Sequence, residues 1–333
     1  MWRPLLSILL ISVPLLLSAA ENDPLFATLE PLSLTLVGPF DRIDDERDKE
    51  QEYEGLVRYQ EGGQSLELNV RYQVRGNWRL NPRNCNYSQL WLDLRRGQLP
   101  GTVFENQNRL KLVVQCRRQD RYQEYLDREL RAYQIFDLLT DYDFNVRPLQ
   151  ITYQDSETED SRTHQAFFIE HQNRVAALAG MEEVEENRIE PALLDPMQST
   201  IASLFMFFLG NTDFSLIQGP EGDECCHNAK LIKDSAGVHY PIPYDFDASG
   251  FVDASYAPEP NPNFNLRSNR SRLFRGFCVE REVFDAAADL FLSHRAAIEA
   301  LVTDRRNTRF VEDFFETLTD PRDFERDIVD DCR

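Results

Sequence analysis

The feature that most constrains the fold is a change of hydrophobic period near residue 120. Before it, GLVRYQ and LELNVRYQVRG alternate apolar and polar residues around a Gly62-Gly63 turn, and LWLDL and RLKLVVQ repeat the pattern. These segments predict an antiparallel sheet of about four strands. After it, Tyr125, Leu126, Leu130, Tyr133, Ile135, Phe136, Leu138 and Leu139 follow helical spacing. VRPLQITYQ and HQAFFIEH return to strand. DPMQSTIASLFMFFLGN then reads as an apolar helix, with Asp195 as N-cap, Pro196 at its first position and Gly210 or Asn211 as its stop. Short strands in AKLIKD and VHYPIPYDF, a Pro-, Asn- and Arg-rich loop over 257–275 and two closing helices complete the chain.

The expected organisation is therefore α+β. Residues 1–20 read as a signal peptide, 21–54 as a strand and an acidic surface segment, and 55–178 as a β-rich N-terminal lobe with one long helix. An acidic linker over 179–196 and an α-rich C-terminal lobe over 197–333 follow. The signal is Arg3, an apolar run from Leu5 to Leu17 and Ser18-Ala19-Ala20, with cleavage near Ala20. No later apolar run approaches the ~20 residues of a membrane-spanning helix. The expectation is an exported protein, periplasmic or secreted, with no integral membrane segment once the signal is removed. A net charge of −21 makes nucleic acid a poor partner.

Six cysteines suit an oxidising compartment. Cys85 and Cys116 flank two strand-like segments and form the expected pair. Cys225 and Cys226 are expected to reach two different partners, with Cys278 and Cys332 as the candidates. The cysteines lack paired Cys-x-x-Cys spacing, which argues against a zinc site.

The chemistry-bearing residues fall at element ends. GNTDFS follows the apolar helix, His227-Asn228 opens a strand, and YDFD ends one; Lys111 lies within RLKLVVQ and Glu129 on the first long helix. A strand lysine for phosphate oxygens, a helix glutamate to hold it, an aspartate for the acceptor hydroxyl, and an asparagine and aspartate for metal ions form the inventory of phosphoryl transfer. The stretches VRYQVRGNWR, LKLVVQC, YLDRELRAYQIFDLL, FFIEH, FLGNTDFS, HNAKL and PIPYDFDASG resemble the spore coat protein H kinase-like family. They resemble still more a group of exported bacterial proteins sharing that pattern. The resemblance runs from about Leu56 to Cys278.

That resemblance implies a two-lobed protein-kinase-like fold that uses a nucleoside triphosphate such as ATP with Mg²⁺ or Mn²⁺. The group transferred would be phosphoryl or nucleotidyl, and the acceptor a protein or small-molecule hydroxyl. It implies that Lys111 contacts phosphate with Glu129 as its partner, and that Glu170 lies near the nucleotide. It makes Asp213 the catalytic aspartate, and Asn228 and Asp245 metal ligands with Asp247 as a second one. Asp213 and Asn228 stand fifteen residues apart, wider than in a kinase catalytic loop. No Gly-x-Gly-x-x-Gly precedes Lys111; the loop RGNWRLNPRN, with Arg75 and Arg79, is the candidate phosphate cover.

Two other readings stay open. The chain could be a non-catalytic binding module. Alternatively, Asp245 and Asp247, on one face of a strand about 6.5 Å apart, could serve an exported glycosidase, whose retaining form needs carboxyls about 5–5.5 Å apart. His227 reads as a structural hydrogen-bonding residue.

Overall fold

A computed structural model describes residues 23–333; the signal-peptide segment lies outside the described residues. Seven strands form a closed barrel: β1 (Leu32–Gly38), β2 (Glu52–Glu61), β3 (Gln64–Arg75), β4 (Gln89–Leu94), β5 (Arg109–Val114), β6 (Val146–Asp155) and β7 (Ser161–Ile169), in the order β1-β2-β3-β4-β5-β7-β6. Closure comes from β1. It pairs antiparallel with β2 over Leu34–Val37 and parallel with β6 over Leu32–Gly38. The alternation in LSLTLVG turns Leu34 and Leu36 inward, where they join Val57, Leu68, Val70, Leu92, Leu112 and Phe168 in the barrel core.

This closure overturns the expected two-lobed protein-kinase-like fold. That expectation needs an open antiparallel sheet of about four strands in the first lobe. Here the segment read as a separate N-terminal strand supplies the seventh stave, and no strand of the barrel is left with an unpaired edge. The sequence shows each strand's period but not which strand closes the ring, because pairing partners lie more than a hundred residues apart.

Among the described residues, eight helices accompany the barrel. They are α1 (Phe40–Glu46), α2 (Asp120–Asp137), α3 (Gln172–Ala179), α4 (Pro196–Leu209), α5 (Arg281–Ser293), α6 (Arg295–Leu301), α7 (Arg305–Thr319) and α8 (Pro321–Phe324). A small sheet, β10 (His239–Pro243), β9 (Ala229–Lys233) and β8 (Glu182–Glu183), lies among them. Helix α4 is buried on every side from Gln198 to Leu209. Asp195 caps it by accepting from the Gln198 N–H at 2.7 Å, and Gly210, left-handed at φ 61°, closes it. Helix α2 belongs to the helical core and touches the barrel through Tyr133, which packs on Phe167 of β7 at 5.8 Å. Its Phe136 packs on Phe205 of α4 at 4.7 Å, and its Tyr133 packs on Phe246 at 4.6 Å.

Cys85 and Cys116 are bridged, as expected. The other cysteines depart from expectation: Cys278 joins Cys332, and Cys225 joins its neighbour Cys226. The cause is a backbone pairing at the C-terminus. The Cys278 N–H donates to Arg333 O and the Arg333 N–H to Gly276 O, which brings Cys278 and Cys332 together and leaves the adjacent pair to each other. Among the described residues no helix is long and apolar enough to cross a membrane.

Asp143 follows α2 and is buried, with Oδ2 unpartnered among the described residues. Burial, then Asp137 and Glu170, push its carboxyl up to about 8. The native state therefore holds a proton there that the unfolded chain releases above its usual carboxylate range. This contribution to stability is full at low pH and is lost as pH rises through about 8. Asp143→Asn is expected to stabilise the protein by about 2–4 kcal/mol above that pH and to change little at low pH. Urea unfolding of both proteins across the range checks this, and equal midpoint shifts at both ends would refute it.

Candidate functional site

The candidate site lies on the outer face of β5, next to β7, which with β6 packs against α2. Leu110, Leu112 and Val114 point into the barrel, so alternation turns Lys111 outward. Lys111 sits mid-sheet between Trp91 of β4 and Ile169 of β7. Its ammonium lies 4.2 Å from the centre of the Tyr244 ring, a cation–π contact. Burial first, then the Arg75 charge, bring it down to about 8, against the opposing pull of Asp245 and Glu129.

Two arginines flank this lysine. Arg75 ends β3, donates from Nη2 to Leu112 O at 2.9 Å and lies over Trp91. Burial lowers it to about 10. Arg79 sits in the short turn Trp78–Leu80 and is only 8% exposed. Its Nε donates to Asp247 Oδ2 at 2.6 Å and its Nη2 to Glu129 Oε2 at 3.1 Å. Glu129 is thus turned toward Arg79 rather than Lys111. Burial, partly offset by Arg79, still pushes the Glu129 carboxyl up to about 7.

The acids arrive on left-handed backbone. Strand β10 stops at Pro243, and Asp245 follows with φ 62° and ψ 63°. Its N–H donates to Tyr133 Oη of α2 at 3.0 Å. Asp247 lies one turn on, in the short helix Phe246–Ala248. The two residues therefore do not lie along an extended strand, the arrangement from which their same-face spacing was expected. Burial raises the Asp245 carboxyl, but Lys111, Arg79, Arg75 and His227 together outweigh it and hold the group below the ordinary carboxylate range.

Asn228 also has positive φ, 49°, a conformation that asparagine and aspartate tolerate best among residues with a Cβ. Its Nδ2 donates to Asp213 O at 2.6 Å. Asp213 follows Gly210, and its N–H donates to Asn211 Oδ1 at 2.9 Å. The Asp213 carboxylate is 56% exposed and accepts from His227 Nε2 at 2.9 Å. That hydrogen bond raises the His227 pKa, with burial opposing and the charges of Asp213 and Asp245 assisting. His227 is therefore paired with the residue expected to handle the acceptor proton, a role its sequence position alone did not suggest.

Arg75, Arg79, Lys111, Glu129, Asp213, Asn228, Asp245 and Asp247 all line one cavity of about 780 Å³. Glu170 does not line it. It follows directly on β7 and accepts from Asn145 Nδ2 at 2.8 Å, and burial takes its carboxyl up to about 7. Sequence reasoning passed over Trp91, Tyr133 and Tyr244. Tyr244 is adjacent to Asp245, and Trp91 alternates outward in LWLDL, but nothing local marks an aromatic as part of a polar cleft.

Among the described residues no three His, Cys, Asp or Glu side chains form a ready metal cage. The cavity nonetheless carries oxygen donors that could hold a hard cation arriving with its own ligand. Mg²⁺ usually takes one or two protein carboxylates and completes its shell with phosphate and water. Asp245 and Asn228, which carry oxygen donors of that kind, both line this cavity. Comparison with models of known protein families found no match, and comparison with curated proteins found none.

Proposed function

We propose that the cleft binds a nucleoside triphosphate with a divalent cation and transfers its terminal phosphoryl group to a hydroxyl, in a protein exported to an oxidising compartment. One observation carries this reading. Side chains from separate segments (β3, the turn after it, β5, α2, the α4 terminus, β9 and the turn after β10) converge on one cavity with cations and carboxylates interleaved.

The charge balance supports the metal. Arg75, Arg79 and Lys111 face Glu129, Asp245 and Asp247, so the cluster is near neutral when all are ionised. A triphosphate alone would add uncompensated negative charge to a partly buried site. Asp245 and Asn228 would hold the cation, which neutralises phosphate oxygens when bound. Lys111 and Arg75 would hold the phosphate chain, with Trp91 as a flat wall beside them. The acceptor oxygen forms a bond to the terminal phosphorus as the bond from that phosphorus to the bridging oxygen breaks. A nucleoside diphosphate leaves, and the acceptor proton passes to the Asp213 carboxylate, which His227 orients.

Thermal-shift measurements with ATP, GTP, CTP and UTP, each with Mg²⁺ or Mn²⁺, test this. The expected result is a metal-dependent rise in Tm with at least one nucleotide, lost in Lys111→Met. No rise with any pairing would remove the transferase reading in favour of a non-catalytic module.

A further inference from the structure

A second cavity, of about 560 Å³, adjoins the first. Asp213, His227, Ala248 and Pro258 line both. Its outer wall is the loop 257–275, which is built into the fold. Arg270 Nη1 donates to Gly250 O at 2.8 Å, Arg272 Nε to Phe207 O at 3.1 Å, and Arg275 Nη1 to Phe214 O at 2.7 Å. Arg272 thereby serves carbonyls at the C-terminal end of α4, where a helix leaves them without partners and favours cations. A Cβ on Gly250 would stand 2.5 Å from Asn269 O, so the loop backbone is pressed against the turn that carries Asp247.

With these arginines turned to backbone carbonyls, the polar lining is mainly uncharged. Asn211 is 2% exposed, and its Nδ2 donor has no partner among the described residues. Thr212, Asn261, Asn269 and Ser271 add amides and hydroxyls, and Phe264 with its neighbouring prolines adds C–H and ring surface. The charged groups besides Arg275 and His227 are Asp213 and Glu259, which disfavour an anionic occupant. No strand borders the cavity among the described residues, so an extended peptide lacks an edge to pair with.

We infer that this second cavity is the acceptor subsite and that it takes a neutral saccharide. The inference rests on the transfer reading above for the word acceptor, while the saccharide site stands on its own geometry. A sugar presents hydroxyls that both donate and accept, which matches mixed amides, hydroxyls and carboxylates. Its C–H faces match proline and phenylalanine. The volume falls in the about 300–1,000 Å³ range of small-molecule pockets. A sugar hydroxyl at the shared wall would lie beside Asp213, which receives its proton as the new oxygen–phosphorus bond forms and the nucleoside diphosphate departs.

Saturation-transfer NMR on the full chain, with maltose, cellobiose and diacetylchitobiose as separate probes at millimolar concentration, tests the site. Transfer to at least one disaccharide is expected without nucleotide, and its loss in Asn261→Trp, with Leu266→Trp, at another residue lining this cavity, as the second variant if the first does not fold. Both variants should keep the nucleotide-dependent thermal shift. Absence of transfer from all three sugars, or transfer that persists in the folded variants, overturns the inference. Displacement of the sugar by a serine-containing peptide that itself shows stronger transfer overturns it too. If sugars bind and are lost in the variants while no nucleotide shifts the Tm, the saccharide site holds and the transfer reading falls.

Discussion

Asp245→Asn is expected to weaken metal-dependent nucleotide binding by about 100-fold or more, on the scale of breaking a buried charge pair. The substitution is nearly isosteric, and asparagine tolerates the left-handed backbone that Asp245 adopts. The N–H donated to Tyr133 remains. What disappears is the charge that faces Lys111, Arg79, Arg75 and His227. Lys111, already brought down to about 8 by burial and Arg75, loses an opposing carboxylate and falls further. At neutral pH the variant would thus lose the proposed metal ligand and part of its lysine charge together. Isothermal titration with the Mg²⁺-nucleotide identified by thermal shift checks this; affinity within a few-fold of the parent would rule out Asp245 as a ligand.

Arg79→Met is expected to destabilise the fold by about 3–5 kcal/mol at about pH 8, because it strands Glu129 and Asp247 without their shared cation. The loss should shrink at about pH 5.5. The Glu129 carboxyl is already raised to about 7 in the parent, so its contribution to stability is full below its ordinary value and is lost as pH rises through about 7. Without Arg79 its folded-state value moves higher still, and the window of loss extends upward. At the lower pH Glu129 takes a proton and ceases to be an unpaired buried charge. Urea unfolding at both pH values measures the difference. An equal loss at both would mean that Arg79 acts through packing on Tyr256 instead.

Much of the cleft was legible in the sequence because it uses residues that are locally out of place. Lys111 stands in an apolar strand, Asp213 after a helix stop, and Asp245 after an apolar strand. A charge in such a setting needs compensation, so each flags itself. Glu170 flagged itself in the same way, but its compensation comes from Asn145, so the signal marks burial rather than membership of one site. The partner of Glu129 was not legible. Arg79 and Lys111 are both plausible cations for it, and only the path of the turn after β3 selects Arg79.

The strand periods and the capped helix α4, with its Asp-Pro start and Gly stop, are readable from the sequence. These follow from side-chain spacing and backbone preference within a few residues. The tertiary structure alone decided the closed barrel, the Cys225–Cys226 and Cys278–Cys332 bridges, and the assignment of each cation to its carboxylate. Each of those depends on contacts between segments distant along the chain. Local propensity is silent there, and the outcome is set by which apolar faces can be buried together.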